Sequence, residues 1–205
     1  MAPVPCRAVP RVPPAALVAS ASWTQLERLA KGCTACPLHR TRRQVVMARG
    51  DQHPRVLFIG EAPGAAEDAA GLPFVGRAGR RLDEAAASLD LAPGTWAVVN
   101  LLKCRPPENR FRPASIAACR PFLDRQIELL DPEWIVTLGR HALRALDPGA
   151  PSITEAAGTE RPFEGRRLFA LLHPAAALHN PRLRARWAAD LDRLRSALAA
   201  APETL

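Results

Sequence analysis

Four short apolar runs, at residues 56–59, 96–99, 134–138 and 168–172, set the tightest limit on how this chain can fold. Each is β-branched or bulky and nearly unbroken by polar residues, as in strands covered on both faces of a parallel sheet. Between them, residues 78–89, 114–130 and 140–146 carry apolar side chains at helical spacing, and 183–198 repeat that spacing near the end. Strands alternating with helices make βαβ units, so the pattern predicts an α/β fold with a largely parallel sheet. At 205 residues the chain is long enough for one sizeable core.

The segment TQLERLAKG after Ser22 reads as a further amphipathic helix, closed at Gly32. Residues 1–19 are crowded with proline and show neither helical nor alternating periodicity, which predicts a disordered tail before a folded domain at 20–200 and a short tail at 201–205. A secretory leader needs an unbroken apolar core, and Pro3, Pro5, Pro10, Pro13 and Pro14 interrupt every candidate. The expected location is the cytoplasm, where thiols stay reduced. No apolar run approaches the length of a membrane span.

In an open α/β sheet, ligands bind outside the carboxyl ends of the strands. Here VLFIG runs into Glu61, WAVVN ends on Asn100, WIVTL ends at Gly139, and LFALL runs into His173. A carboxylate, an amide and an imidazole thus meet at one crevice, although each alone also suits a cap or a turn. The net charge of +8 rests almost wholly on arginine, with lysine only at positions 31 and 103. Forked guanidinium bonds suit phosphate, hence a nucleic acid partner. A GC-rich coding sequence gives a similar arginine excess, so charge alone selects nothing.

Cys33 and Cys36 form a C-x2-C pair, and Cys104 and Cys119 lie 15 residues apart downstream. Four thiols from separate segments fit a structural zinc or an iron–sulfur cluster, and spacing does not choose between them. A thioredoxin-like redox centre would follow a strand and need no second pair. Cys6, in the proline-rich tail, has no assigned role.

Five ordered motifs narrow the field. They are GEAPGAAEDAAGLPFVGRAG at 60–79, NLLKCRPPENR from Asn100, IAACRPFLDRQI from Ile116, WIVTLGRHAL from Trp134, and HPAAALHNP from His173. With Cys33 and Cys36 they resemble, from about residue 20 to 198, the family 4 (iron–sulfur) uracil-DNA glycosylases of the uracil-DNA glycosylase superfamily. The resemblance implies a three-layer α/β/α sandwich around a central, mainly parallel four-stranded sheet. It implies a monomeric base-excision repair enzyme that hydrolyses the N-glycosidic bond of deoxyuridine in single- or double-stranded DNA, leaving an abasic site. It also implies a [4Fe-4S] cluster on Cys33, Cys36, Cys104 and Cys119.

The same resemblance assigns roles. His173 donates a hydrogen bond to the oxyanion developing on uracil O2, and Asn100 pairs with the N3–H and O4 edge that cytosine presents in reverse. Phe74 stacks on the extruded base, and backbone groups near Glu61 and Ala62 complete the pocket. Another branch of the superfamily has an aspartate at the position of Ala62 that aligns the attacking water. That task is therefore expected to move to Glu61, Glu67 or Asn109, with Glu67 near the base, Asn109 as its partner and Glu61 bracing the loop. Leu178 is the expected wedge in the vacated duplex, and Arg105, Arg110 and Arg112 are expected at the DNA backbone. Ala175 departs from the family pattern, which has a serine there.

Two other classes were weighed. A uracil-DNA trapping protein without turnover would carry a basic insertion with a histidine after NLLKC, whereas KCRPPENRFRP runs straight on to a helix. An electron-transfer protein would leave Glu61, Phe74, Asn100 and His173 without a purpose. The proline-rich tail offers a possible contact for a replication factor.

Overall fold

The computed structural model describes residues 13–201. Residues 1–12, which hold Cys6 and most of the tail expected to meet a replication factor, and residues 202–205 lie outside the described residues. In chain order the helices are α1 (Ala15–Ala19), α2 (Trp23–Gly32), α3 (Ala65–Ala70), α4 (Arg77–Ser88), α5 (Pro113–Leu130), α6 (Arg140–Leu146), α7 (Ile153–Ala156), α8 (Pro174–His179) and α9 (Pro181–Ala200). The strands are β1 (Ala48–Gly50), β2 (Val56–Gly60), β3 (Trp96–Asn100), β4 (Trp134–Leu138), β5 (Glu160–Phe163) and β6 (Arg166–Leu171).

These strands form one sheet in the order β1-β3-β2-β4-β6-β5. Its centre is the expected set of four parallel strands, β3, β2, β4 and β6. The sheet is wider than the four strands expected, because β1 adds antiparallel to β3 and β5 adds antiparallel to β6. Both edge strands are short and carry charge, as in ARG and ERPF, so neither has an apolar signature. On β5 and β6 the edge is tied by Glu160, whose two oxygens accept from Arg167 at 2.6 and 2.7 Å.

Side chains alternate across the central strands and build two cores. Val56 and Phe58 of β2 join Val98, Val136 and Phe169 on one face, covered by Leu82 and Ala85 of α4 and by Trp187, Leu191 and Leu194 of α9. Leu57 and Ile59 join Val99, Ile135 and Ala170 on the other, under Leu123 and Ile127 of α5 and Ala142 and Leu143 of α6. The result is the three-layer α/β/α arrangement. No helix among the described residues is long and apolar enough to cross a membrane.

The folded region begins earlier than residue 20. Residues 15–19 form α1 directly after Pro14, and Val18 is buried with Ala21, Leu26 of α2 and Phe122 of α5. Proline is tolerated at a helix start, so Pro13 and Pro14 lead directly into this helix. Five residues are too few to display a period. Helix α2 starts as its sequence implies, with Gln25 accepting from the Ser22 backbone N–H at 2.8 Å in a capping box.

Because the four central strands are parallel, their carboxyl ends share one edge. Gly60 pairs in register with Asn100, and Leu138 with Leu171. Glu61, Asn100, Gly139 and His173 therefore emerge side by side.

Candidate active site

At that edge lies a cavity of about 300 Å³, whose walls include Glu61, Glu67, Phe74, Asn100 and His173. Asn100, the last residue of β3, is only 1% exposed, and its buried Oδ1 has no hydrogen-bond partner among the described residues. Leaving such a group unpaired costs about 1–3 kcal/mol, so the position is built to be completed by a donor from outside the fold. Its main-chain oxygen accepts from the buried ammonium of Lys103, which burial pushes down to about 8.

Phe74 is buried beside Asn100 in left-handed backbone conformation, φ 55°, unusual for a bulky residue. Two close approaches hold it there. A Cβ at Gly60 would lie 2.5 Å from the Phe74 ring and 2.4 Å from Asn100 Oδ1, and a Cβ at Gly79 would lie 1.9 Å from the Phe74 carbonyl oxygen. Only glycine fits at either place.

Glu67 stabilises the same loop. Its Oε1 accepts from the backbone N–H of Val75 at 3.1 Å and of Gly76 at 2.8 Å, and its Oε2 accepts from Gly64 N–H at 3.1 Å. The carboxylate thus caps α3 and fixes the approach to α4, a favourable place for negative charge. Glu61 is held more loosely. Its Oε1 accepts from His141 N–H at 2.9 Å, in the first turn of α6, and no bond is made to its second oxygen among the described residues. Burial raises its pKa, opposed by the His141 bond and by Arg140. Glu67 thus makes the loop-bracing contacts expected of Glu61, while Glu61 keeps an oxygen without a bond among the described residues. Asn109 lines the cavity as expected, in left-handed conformation with φ 55°, but makes no hydrogen bond to Glu67.

His173 follows β6 and caps α8. Its Nδ1 accepts from Ala175 N–H at 3.2 Å, which assigns the ring proton to Nε2. Burial lowers its pKa to about 4, opposed by the charge of Glu67, so the imidazole is neutral near pH 7. The ring lies 6.0 Å from that of Phe74, tilted by 31°. Ala62 and Ala175 complete the wall.

Two aromatic residues at this site escaped the sequence reading. Phe111 lines the cavity and stacks on His141 with centroids 4.2 Å apart and planes 18° apart. The only signal was the alternation Arg110-Phe111-Arg112. Of the expected DNA contacts, Arg105 and Arg112 are exposed, while Arg110 is paired with Glu108 at 2.8 Å. Leu178 is half-buried in α8, next to the fully buried Ala177.

A second, narrow cavity is ringed by Cys33, Cys36, Cys104 and Cys119, with Ala30 and Phe122. All four thiols are free of disulfides. Among the described residues, no three His, Cys, Asp or Glu side chains are grouped so as to hold a single metal ion. N–H donors meet three of the sulfurs: Arg42 Nη1 at 3.2 Å from Cys104, Lys103 N at 3.3 Å from Cys119, and Ala35 N at 3.5 Å from Cys33. Burial pushes the Cys119 thiol up to about 12 and raises that of Cys104. A neutral thiol is a weak acceptor, so donors directed at several sulfurs suit thiolate ligands.

Comparison with known proteins shows the family. The family model described as the Uracil DNA glycosylase superfamily matches residues 47–195. A type-4 uracil-DNA glycosylase of Pyrobaculum aerophilum is 39% identical over 176 residues, covering 82% of this chain and 90% of the relative. Those of Thermotoga maritima and Archaeoglobus fulgidus are 42% and 36% identical, over 73% and 84% of this chain and 80% and 92% of the relatives. The chain belongs to the type-4 uracil-DNA glycosylases of that superfamily.

Proposed function

We propose that this protein removes uracil from DNA by hydrolysing the N-glycosidic bond of an extruded deoxyuridine, and that the cavity at the strand ends is where it does so. The unpartnered Oδ1 of Asn100 carries the reading. It accepts from uracil N3–H while the amide N–H₂ donates to O4; cytosine presents an acceptor and a donor in those places and leaves both groups unpaired. Phe74 supports the ring from one face without reading its identity.

Bond cleavage places positive charge on the sugar and negative charge on the departing uracil. His173 Nε2–H donates to O2 as that charge grows, an effect worth about 3 kcal/mol. A neutral donor suits the task, because it stabilises the anion without having to lose a proton. Glu61, through its free oxygen, orients the water that attacks the sugar carbon, and Glu67 keeps Phe74 in place. Leu178 fills the space left in the duplex, and Arg105 and Arg112 contact phosphates.

The four cysteines are assigned a [4Fe-4S] cluster, supported by their shared cavity and by the donors to three of the sulfurs. When bound, such a cluster would supply covalent cross-links among the turn that follows α2, the segment following Asn100, and α5. Cys104 lies four residues beyond Asn100, so these residues fix the loop behind the uracil-reading amide. Iron and sulfide analysis of the purified protein tests this directly. We further assign the protein to the cytoplasm as a monomer.

The test is incubation with oligonucleotides carrying one uracil or one thymine, followed by alkali. Strand breakage at uracil alone is expected. Intact strands under excess protein overturn the reading, and an adduct resistant to denaturation indicates trapping of the sugar instead.

A further inference from the structure

We propose that Phe111, backed by His141, is a second stacking platform, which receives the base next to the extruded uracil on the same strand. This rests on the assignment of DNA as substrate and extends it to a neighbouring nucleotide. One face of Phe111 is covered by the His141 ring at 4.2 Å, and the side chain packs against the small cluster of Leu38, Leu102 and Cys104. The rest of the ring is half-exposed at the cavity that takes the uracil.

The platform is held from both sides. The His141 backbone N–H is bonded to Glu61 Oε1, and its ring Nε2 accepts from Arg140 Nε at 3.2 Å. On the other side, Glu108 and Asn109 both adopt left-handed conformation, φ 53° and 55°, and α5 begins two residues after Phe111. An aromatic ring fixed in this way, yet still half in water, has unused stacking surface.

The uracil itself has another support. Phe74 is buried against Gly60 and Asn100 at the depth of the base-reading amide, whereas the Phe111 segment is flanked by exposed arginines. Extrusion of one nucleotide leaves its neighbours passing over the rim of the cavity. Arg112 forms no ion pair among the described residues and suits the phosphate between them, while Arg110 is already engaged by Glu108. A cation beside an aromatic face is the usual means of holding single-stranded nucleic acid without reading its sequence.

The test uses two single-stranded oligonucleotides with one tetrahydrofuran abasic site, carrying 2-aminopurine on the 5′ or the 3′ side. With the native protein, one of the two is expected to lose fluorescence on binding, because its neighbour base stacks. Phe111→Ala is expected to abolish that quenching and to weaken binding about tenfold. Phe111→Trp is expected to restore both, and His141→Ala to give a smaller loss of affinity. Arg112→Gln is expected to reduce the slope of log affinity against log salt by about 0.7, one phosphate on a single strand. Unchanged quenching and affinity in a folded Phe111→Ala protein, whose melting temperature matches that of the native chain, overturn the inference. Uracil release by the native protein is scored separately, so loss of the platform and loss of the glycosylase assignment give different results.

Discussion

The cavity at the strand ends and the cysteine cage are served by the same short segment, Asn100 to Cys104, yet they treat polar atoms in opposite ways. In the cavity, Asn100 Oδ1 is buried and unpaired, and Glu61 keeps an oxygen free. In the cage, three of four sulfurs already meet N–H donors from the fold. A site that must turn over leaves its bonds to be made by the substrate, and a site that only holds satisfies its own groups beforehand. Glu67 belongs with the second kind although it lines the first cavity.

The largest expected effect breaks the cavity and spares the cage. His173→Ala should lower the single-turnover excision rate by about 100- to 1,000-fold while binding of uracil-containing DNA changes little. Equal losses in rate and affinity would falsify the oxyanion role. Asn100→Asp should weaken uracil excision by about a hundredfold, because a carboxylate faces O4 where a donor stood. Full uracil activity in that variant removes the amide from the reading of the base.

Glu67→Ala sharpens the contrast between the two carboxylates. It strips three backbone N–H groups of their acceptor, and chemical denaturation should show about 2 kcal/mol less stability. If stability is retained while excision collapses, Glu67 acts in the chemistry and the brace assignment fails.

A further expected effect concerns pH. His173 has a folded pKa of about 4, below the ordinary 6.5, so the unfolded chain takes up its proton first as the pH falls. Its contribution to stability is complete above 6.5 and is lost progressively down to about 4. Native protein should therefore lose more stability than His173→Ala over that window, measured by denaturation at each pH. Parallel curves place the imidazole in wetter surroundings than these.

Much of this arrangement was legible in the sequence, for physical reasons. The four central strands announce themselves because burial on both faces demands nearly continuous apolar residues, and parallel order then brings Glu61, Asn100 and His173 to one edge. The edge strands β1 and β5 could not be read, since pairing along one side asks little of three or four residues. Helix α1 was missed because one turn of helix has no period. That Glu67 and not Glu61 makes the bracing bonds was not legible, because it depends on which backbone N–H groups lie within reach, and residue type carries no trace of that. The stack of Phe111 on His141 joins a turn and a helix start 30 residues apart, which no local pattern reports.

The close approaches at Gly60 and Gly79 have a consequence for how this enzyme can evolve. A methyl group at either glycine collides with the ring or backbone of Phe74, so the floor of the cavity is closed to gradual change. Ala62, Ala78 and Ala175 also line the cavity, and each already carries a Cβ, so the collision that bars a side chain at the glycines does not arise there. New base preferences in descendants of this chain should accumulate on the alanine wall and leave the glycine floor untouched.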